Sequence, residues 1–140
     1  MRGILRLAVP VVPINAIPAK ENIMTSNEIA AAFTDLCKAG KFDEAGKQFW
    51  SDDIVSREAM GDMKEVKGRA GVEGKGAWWY ANHEIHSVKV EGPYVSGDQF
   101  VVHFTMDVTP KGGTRMSLDE VGIYTVKDGK IVEESFFYHG

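Results

Sequence analysis

Apolar residues recur along this chain at helical spacing as far as Ala81, and beyond His83 at every second position. Ile29, Ala32, Phe33, Leu36 and Cys37 form the first helical stripe. Thr25 and Glu28 stand at capping-box spacing ahead of it and Gly40 supplies a left-handed stop, which predicts a helix over residues 26–39. Phe42, Ala45, Phe49 and Trp50 carry the apolar face of a second, shorter helix. Ser51-Asp52-Asp53 ends it before a strand over Ile54–Ala59. Gly61–Lys67 is polar and reads as a loop. Val72, Ala77, Trp78, Trp79 and Ala81 then suggest a third helix from Gly68 to Asn82, although Gly71, Gly74 and Gly76 each weaken it. The period of two gives long strands near 85–95, 98–109, 115–127 and 130–139, separated by Ser96-Gly97-Asp98, Lys111-Gly112-Gly113 and Lys127-Asp128-Gly129-Lys130. Three helices around one short strand, followed by an antiparallel meander, make an α+β domain whose sheet buries one face against the helices.

Length keeps this to a single domain over residues 25–140, since 140 residues are too few for two ordinary ones. Residues 1–24 read as a tail. Arg2 and Arg6 followed by Leu7, Ala8, Val9, Val11, Val12, Ile14 and Ile17 imitate a secretory signal, but Pro10, Pro13 and Pro18 interrupt the run and no small-x-small cleavage site follows. Met24 makes a natural start before the capping box, so the tail is consistent with an over-extended start and the protein is expected to be cytoplasmic. The net charge of −4 is spread without a basic stripe, which argues against nucleic acid as a partner; the apolar run is too short for a membrane. The one cysteine, Cys37, falls on the first helix's apolar stripe and is expected in the core.

Candidate chemistry concentrates in the last two strands. Glu120 shares a face with Met116, Leu118, Gly122, Tyr124 and Val126, while Glu134 shares one with Val132, Phe136 and Tyr138. Both carboxylates are thus expected among apolar neighbours, where desolvation and a like-charged partner raise a pKa into the range useful for acid–base work. The alternative is structural: each is salt-bridged to Arg57, Arg115 or Lys75, or meets water at the sheet edge. The hydroxyls of Tyr124 and Tyr138 are placed to donate to a ligand or to those glutamates. Trp79, with Trp78 and Tyr80, offers flat apolar surface for a ligand or for ordinary packing. His83-Glu84-Ile85-His86 resembles a metal pair, but it spans a helix-to-strand change and nothing completes a ligand set, so no metal is expected. His103 falls on the opposite face of its strand from Phe100, Val102, Phe104 and Met106. The glycines near Gly71 fit no nucleotide-binding pattern, and no serine stands in a nucleophile elbow.

Lys38-Ala39-Gly40-Lys41-Phe42-Asp43, Phe49-Trp50-Ser51-Asp52-Asp53 and the ending Tyr124–Glu133 carry a resemblance to the nuclear transport factor 2-like superfamily, covering residues 26–140. That superfamily includes SnoaL-like polyketide cyclases, ketosteroid isomerases, scytalone dehydratase and limonene epoxide hydrolase. The resemblance implies a cone-shaped, curved antiparallel sheet packed on three N-terminal helices around a pocket for a small hydrophobic molecule. It also implies a homodimer formed through the sheet, and no cofactor. By the same resemblance Glu58 occupies the position of the isomerases' general base. Other isomerase groups do not carry over, since Phe33 stands for the helix-one tyrosine and Gly122 for the oxyanion-stabilising aspartate. Phe136 stands where the epoxide hydrolase has its final-strand aspartate. Phe33 and Phe136 are accordingly candidate ligand contacts.

Three readings follow. The first is an isomerase, dehydratase or cyclase using Glu58, Glu120 or Glu134 as general acid or base, with Tyr124, Tyr138, Trp79, Phe33 and Phe136 around the ligand. The second is a non-catalytic ligand-binding module. The third is an interaction domain that pairs through its outer sheet face, with His103, Thr105 and Asp107.

Overall fold

The computed structural model describes residues 23–139, so the reading of residues 1–22 as a tail lies outside the described residues. The elements run α1 (Ser26–Lys38), α2 (Phe42–Phe49), β1 (Trp50–Arg57), β2 (Glu65–Lys67), α3 (Arg69–Asn82), β3 (His83–Ser96), β4 (Gln99–Pro110), β5 (Met116–Lys127) and β6 (Lys130–Tyr138). The capping box closes as the spacing predicts: Glu28 N–H donates to Thr25 Oγ1 at 3.2 Å and Thr25 N–H to Glu28 Oε1 at 3.1 Å. Such a cap stabilises a helix start by about 1 kcal/mol. Gly40 takes φ +76° just past the end of α1.

The six strands form one sheet in the order β2-β1-β6-β5-β4-β3. Its inner face carries Ile54, Phe100, Val102, Phe104, Leu118, Tyr124, Val126 and Ile131, all buried, and α1 adds Ile29, Phe33 and Cys37 against them. Full burial of each large apolar side chain contributes about 1.5–3 kcal/mol, so this layer contact is the main source of stability. Among the described residues no helix is long and apolar enough to cross a membrane.

The structure departs from the sequence expectation in four places. The sheet is mixed, because β1 runs parallel to β6; the whole of α3 to β5 lies between them, and so long a connection permits the parallel sense that a hairpin forbids. Trp50 ends α2 and opens β1, leaving Ser51-Asp52-Asp53 within the strand and Glu58 just beyond its end. Residues 65–67, read as loop, pair with β1 through Ser56 and Val66. In β6 a bulge pairs Val126 with Ile131 and Thr125 with Glu133, so Val132 is an extra residue. Ile131 is therefore the fully buried side chain at that end, and Val132 is not on the inner face assigned to it.

Candidate functional site

Beyond the bulge, the alternation of β6 points Glu134 into the core, where it is 4% exposed. Sheet register sets Ser56 of β1 on one side of it and Tyr124 of β5 on the other. Glu134 Oε2 accepts from Ser56 Oγ at 2.8 Å, and Oε1 accepts from Trp50 Nε1 at 2.6 Å. Trp50 reaches it because its ring crosses α2 at Gly46, where a Cβ would meet the indole at 2.6 Å.

Ser56 passes the contact on. Its hydroxyl oxygen accepts from Lys75 Nζ at 2.5 Å, and the same ammonium lies 2.9 Å from Glu58 Oε1. Lys75 comes from α3, which packs over β1, and its Nζ stands 5.4 Å above the Phe136 ring. The result is one hydrogen-bonded chain, Trp50–Glu134–Ser56–Lys75–Glu58, running from the interior toward solvent. Lys75 and Glu58 keep 11% and 21% of their side chains accessible, so the outer end of the chain is the reachable one.

Glu120 faces the same region from β5, opposite Tyr138 and Phe104. Among the described residues it has neither an ionic nor a hydrogen-bonding partner. Burial pushes its carboxyl up to about 8, the charge of Glu58 adds to the rise, Lys75 opposes it and Glu134 adds a little more. A carboxyl in that range is largely protonated at neutral pH and donates a hydrogen bond instead of only accepting. Burial also raises Glu134 from its ordinary value; hydrogen bonds from Ser56, the Lys75 charge and the Trp50 hydrogen bond oppose the rise, while Glu58 adds to it.

The aromatic candidates divide. Tyr124 is buried, stacked on Phe100 at 4.9 Å and against Phe33 at 4.7 Å, and it meets Phe136 edge-on at 6.1 Å. Its phenol folds back over Gly122, where a Cβ would stand 2.8 Å from the hydroxyl, so the absent side chain makes room for the tyrosine. Burial, then the nearby charge of Glu134, hold the Tyr124 hydroxyl well above its ordinary range. Phe33 is a core residue between Phe49, Phe100 and Tyr124. Tyr138 is half-buried, its hydroxyl donating to the Met60 carbonyl at 3.5 Å; burial and then the Glu58 charge push it up to about 12. Trp79 belongs to a separate stack on His83 at 3.6 Å.

The structural ion pairs weighed for the two glutamates go elsewhere. Arg57 pairs with Glu133, Arg115 with Asp107, and Lys75 with Glu58. Sequence reasoning treated Lys75 only as a partner for Glu120 or Glu134 and passed over Ser56 and Trp50. A signal was present for Ser56, which alternates with buried Ile54 on β1. His103 lies on the outer face, bonded to Asp119. A groove of about 400 Å³ beside His103, Asp119 and Phe137 reaches the end of β6 at Tyr138.

The sequence pattern of the SnoaL-like domain family matches residues 24–138. A provisionally named SnoaL-like polyketide cyclase from Mesorhizobium loti is similar at 52% identity and TM-score 0.80, over 82% of this chain and 100% of that one. A Xanthomonas campestris protein of unknown function with a cystatin-like fold superimposes at TM-score 0.67 and 18% identity, over 84% of this chain and 92% of that one. A Catenulispora acidiphila protein with a ketosteroid isomerase-like fold, solved in complex with trimethylamine, gives TM-score 0.59 and 22% identity, over 78% and 80% of the two chains. No curated protein matches the chain.

Proposed function

The chain belongs to the SnoaL-like domain family, and from that premise we propose that it is a cofactor-independent acid–base enzyme of the isomerase, dehydratase or cyclase kind. Its substrate is a small hydrophobic carbonyl compound. The observation that carries the reading is the nearness of an unpartnered, raised carboxyl at Glu120 to the Lys75–Glu58 ion pair, with Phe136 beside Lys75 and Tyr138 opposite Glu120. Two carboxyl groups in unlike environments take unlike protonation states, which is what coupled acid and base work requires. Glu58 removes a proton from carbon next to the carbonyl, and Glu120 donates to the oxygen or to a leaving hydroxyl. Glu134, with both oxygens engaged, is a positioning residue that fixes Ser56 and through it Lys75. The Mesorhizobium loti relative's name supports a cyclase acting on a polyketide-type chain.

The test is deuterium exchange at the α-carbon of 2-tetralone in heavy water, followed by proton NMR. The wild-type protein accelerates exchange, and Glu58→Gln and Glu120→Gln each lose roughly 100-fold, the usual contribution of one acid or base. Exchange at the buffer rate with wild-type protein would leave the second reading, a binding module with the same residues recognising a polar head group.

A further inference from the structure

Lys75 is the cation of the site, and its hydrogen bonding is incomplete. An ammonium has three N–H donors. Glu58 Oε1 at 2.9 Å and Ser56 Oγ at 2.5 Å take two of them. Among the described residues no acceptor meets the third, although only 11% of the side chain is accessible to solvent. A desolvated ammonium with an unfilled donor, held beside an aromatic ring at 5.4 Å, is ready to receive an oxygen from a planar ligand.

We propose that Lys75 is the oxyanion-binding residue of the site, its third N–H taking the substrate oxygen on which negative charge develops, so that the ligand class is an enolisable ketone or a phenol-like analogue. The proposal deepens the acid–base reading and, for its catalytic part, rests on it. The charge balance favours it. As Glu58 takes the proton, the C–H bond breaks, an O–H bond forms on Glu58, and the C–H electron pair becomes the enolate's C=C while the carbonyl pair moves onto oxygen. Negative charge leaves Glu58 in the step in which it appears on the substrate, within reach of one fixed ammonium. The site therefore carries the same net charge before and after, and nothing need reorganise to stabilise the product.

The experiment uses the full chain and 4-nitrophenol, whose absorbance reports ionisation of its oxygen. Bound to the wild-type protein, the phenol should ionise at least about one pH unit below the free phenol, a tenfold preference for the phenolate. Lys75→Met should remove that preference, Lys75→Arg should restore part of it, and Glu58→Gln should enlarge it by freeing the ammonium from its competing carboxylate. Because Lys75→Met leaves Glu58 unpaired and can lower stability, the Lys75→Met/Glu58→Gln double variant serves as a folded control, in which the preference is again absent. No binding of the phenol, or an ionisation unchanged in Lys75→Met, overturns the proposal. Ionisation that follows Lys75 without 2-tetralone exchange keeps the oxyanion site and removes the enzyme; exchange indifferent to Lys75→Met does the reverse.

Discussion

The Trp50 indole lies across Gly46, one helical turn earlier, with Cη2 and Cζ2 each 2.6 Å from where a Gly46 Cβ would stand. The end of α2 is thereby joined to the deepest carboxylate of the sheet, because the same ring donates to Glu134. Gly46→Ala must push the indole away. The expected cost is about 1–3 kcal/mol of stability from overpacking and a weakened hydrogen bond, read as a lower urea midpoint together with a change in tryptophan emission. An alanine variant as stable as wild type would show that Trp50 has room to move without loss.

Stability should fall as pH rises through the window set by Glu120. Its folded-state carboxyl titrates at about 8 against an ordinary 4.5, so between those values the folded chain holds a proton that the unfolded chain has released. The stabilisation is full below the ordinary value and is lost as pH rises through the folded one; Glu134, also raised, acts in the same direction. Glu120→Gln should flatten this decline by an amount on the order of a few kcal/mol, measured as thermal midpoints from pH 4 to pH 9. Parallel pH curves for the two proteins would contradict it.

Cys37 is 2% exposed, and burial followed by the Glu134 charge pushes its thiol up to about 12. It should resist an aromatic disulfide reagent at pH 8 in the folded protein and react fully in denaturant, since only an exposed thiolate attacks. Rapid labelling of the native chain would mean that α1 opens readily.

The bulge in β6 makes two adjacent residues unequal. Ile131 is fully buried while Val132 is partly exposed. Ile131→Ala should cost about 2–5 kcal/mol and Val132→Ala less than about 1 kcal/mol in chemical denaturation. Equal losses would restore the uninterrupted alternation and remove the bulge.

Much of this fold was legible in the chain. The stripe from Ile29 to Cys37, the Thr25–Glu28 box and the alternation around Glu120 record which side of each element meets the core, and that record is local. The inward direction of Glu134 was readable too, because the bulge lies before it and leaves the spacing to Phe136 and Tyr138 intact. Val132 was misassigned for the same reason: a bulge shifts the alternation by one residue without marking the sequence.

What the sequence determined by itself was the set of elements, the inner faces and the presence of acidic groups on them, because periodicity follows from backbone geometry and the cost of exposing apolar surface. Tertiary structure alone decided that β1 lies parallel beside β6, that Ser56 and Trp50 close on Glu134 across 78 and 84 residues, and that Lys75 chooses Glu58. Those partnerships depend on sheet register and on where α3 crosses β1, and a charge or hydroxyl reads alike in sequence whichever neighbour the fold brings within hydrogen-bonding distance.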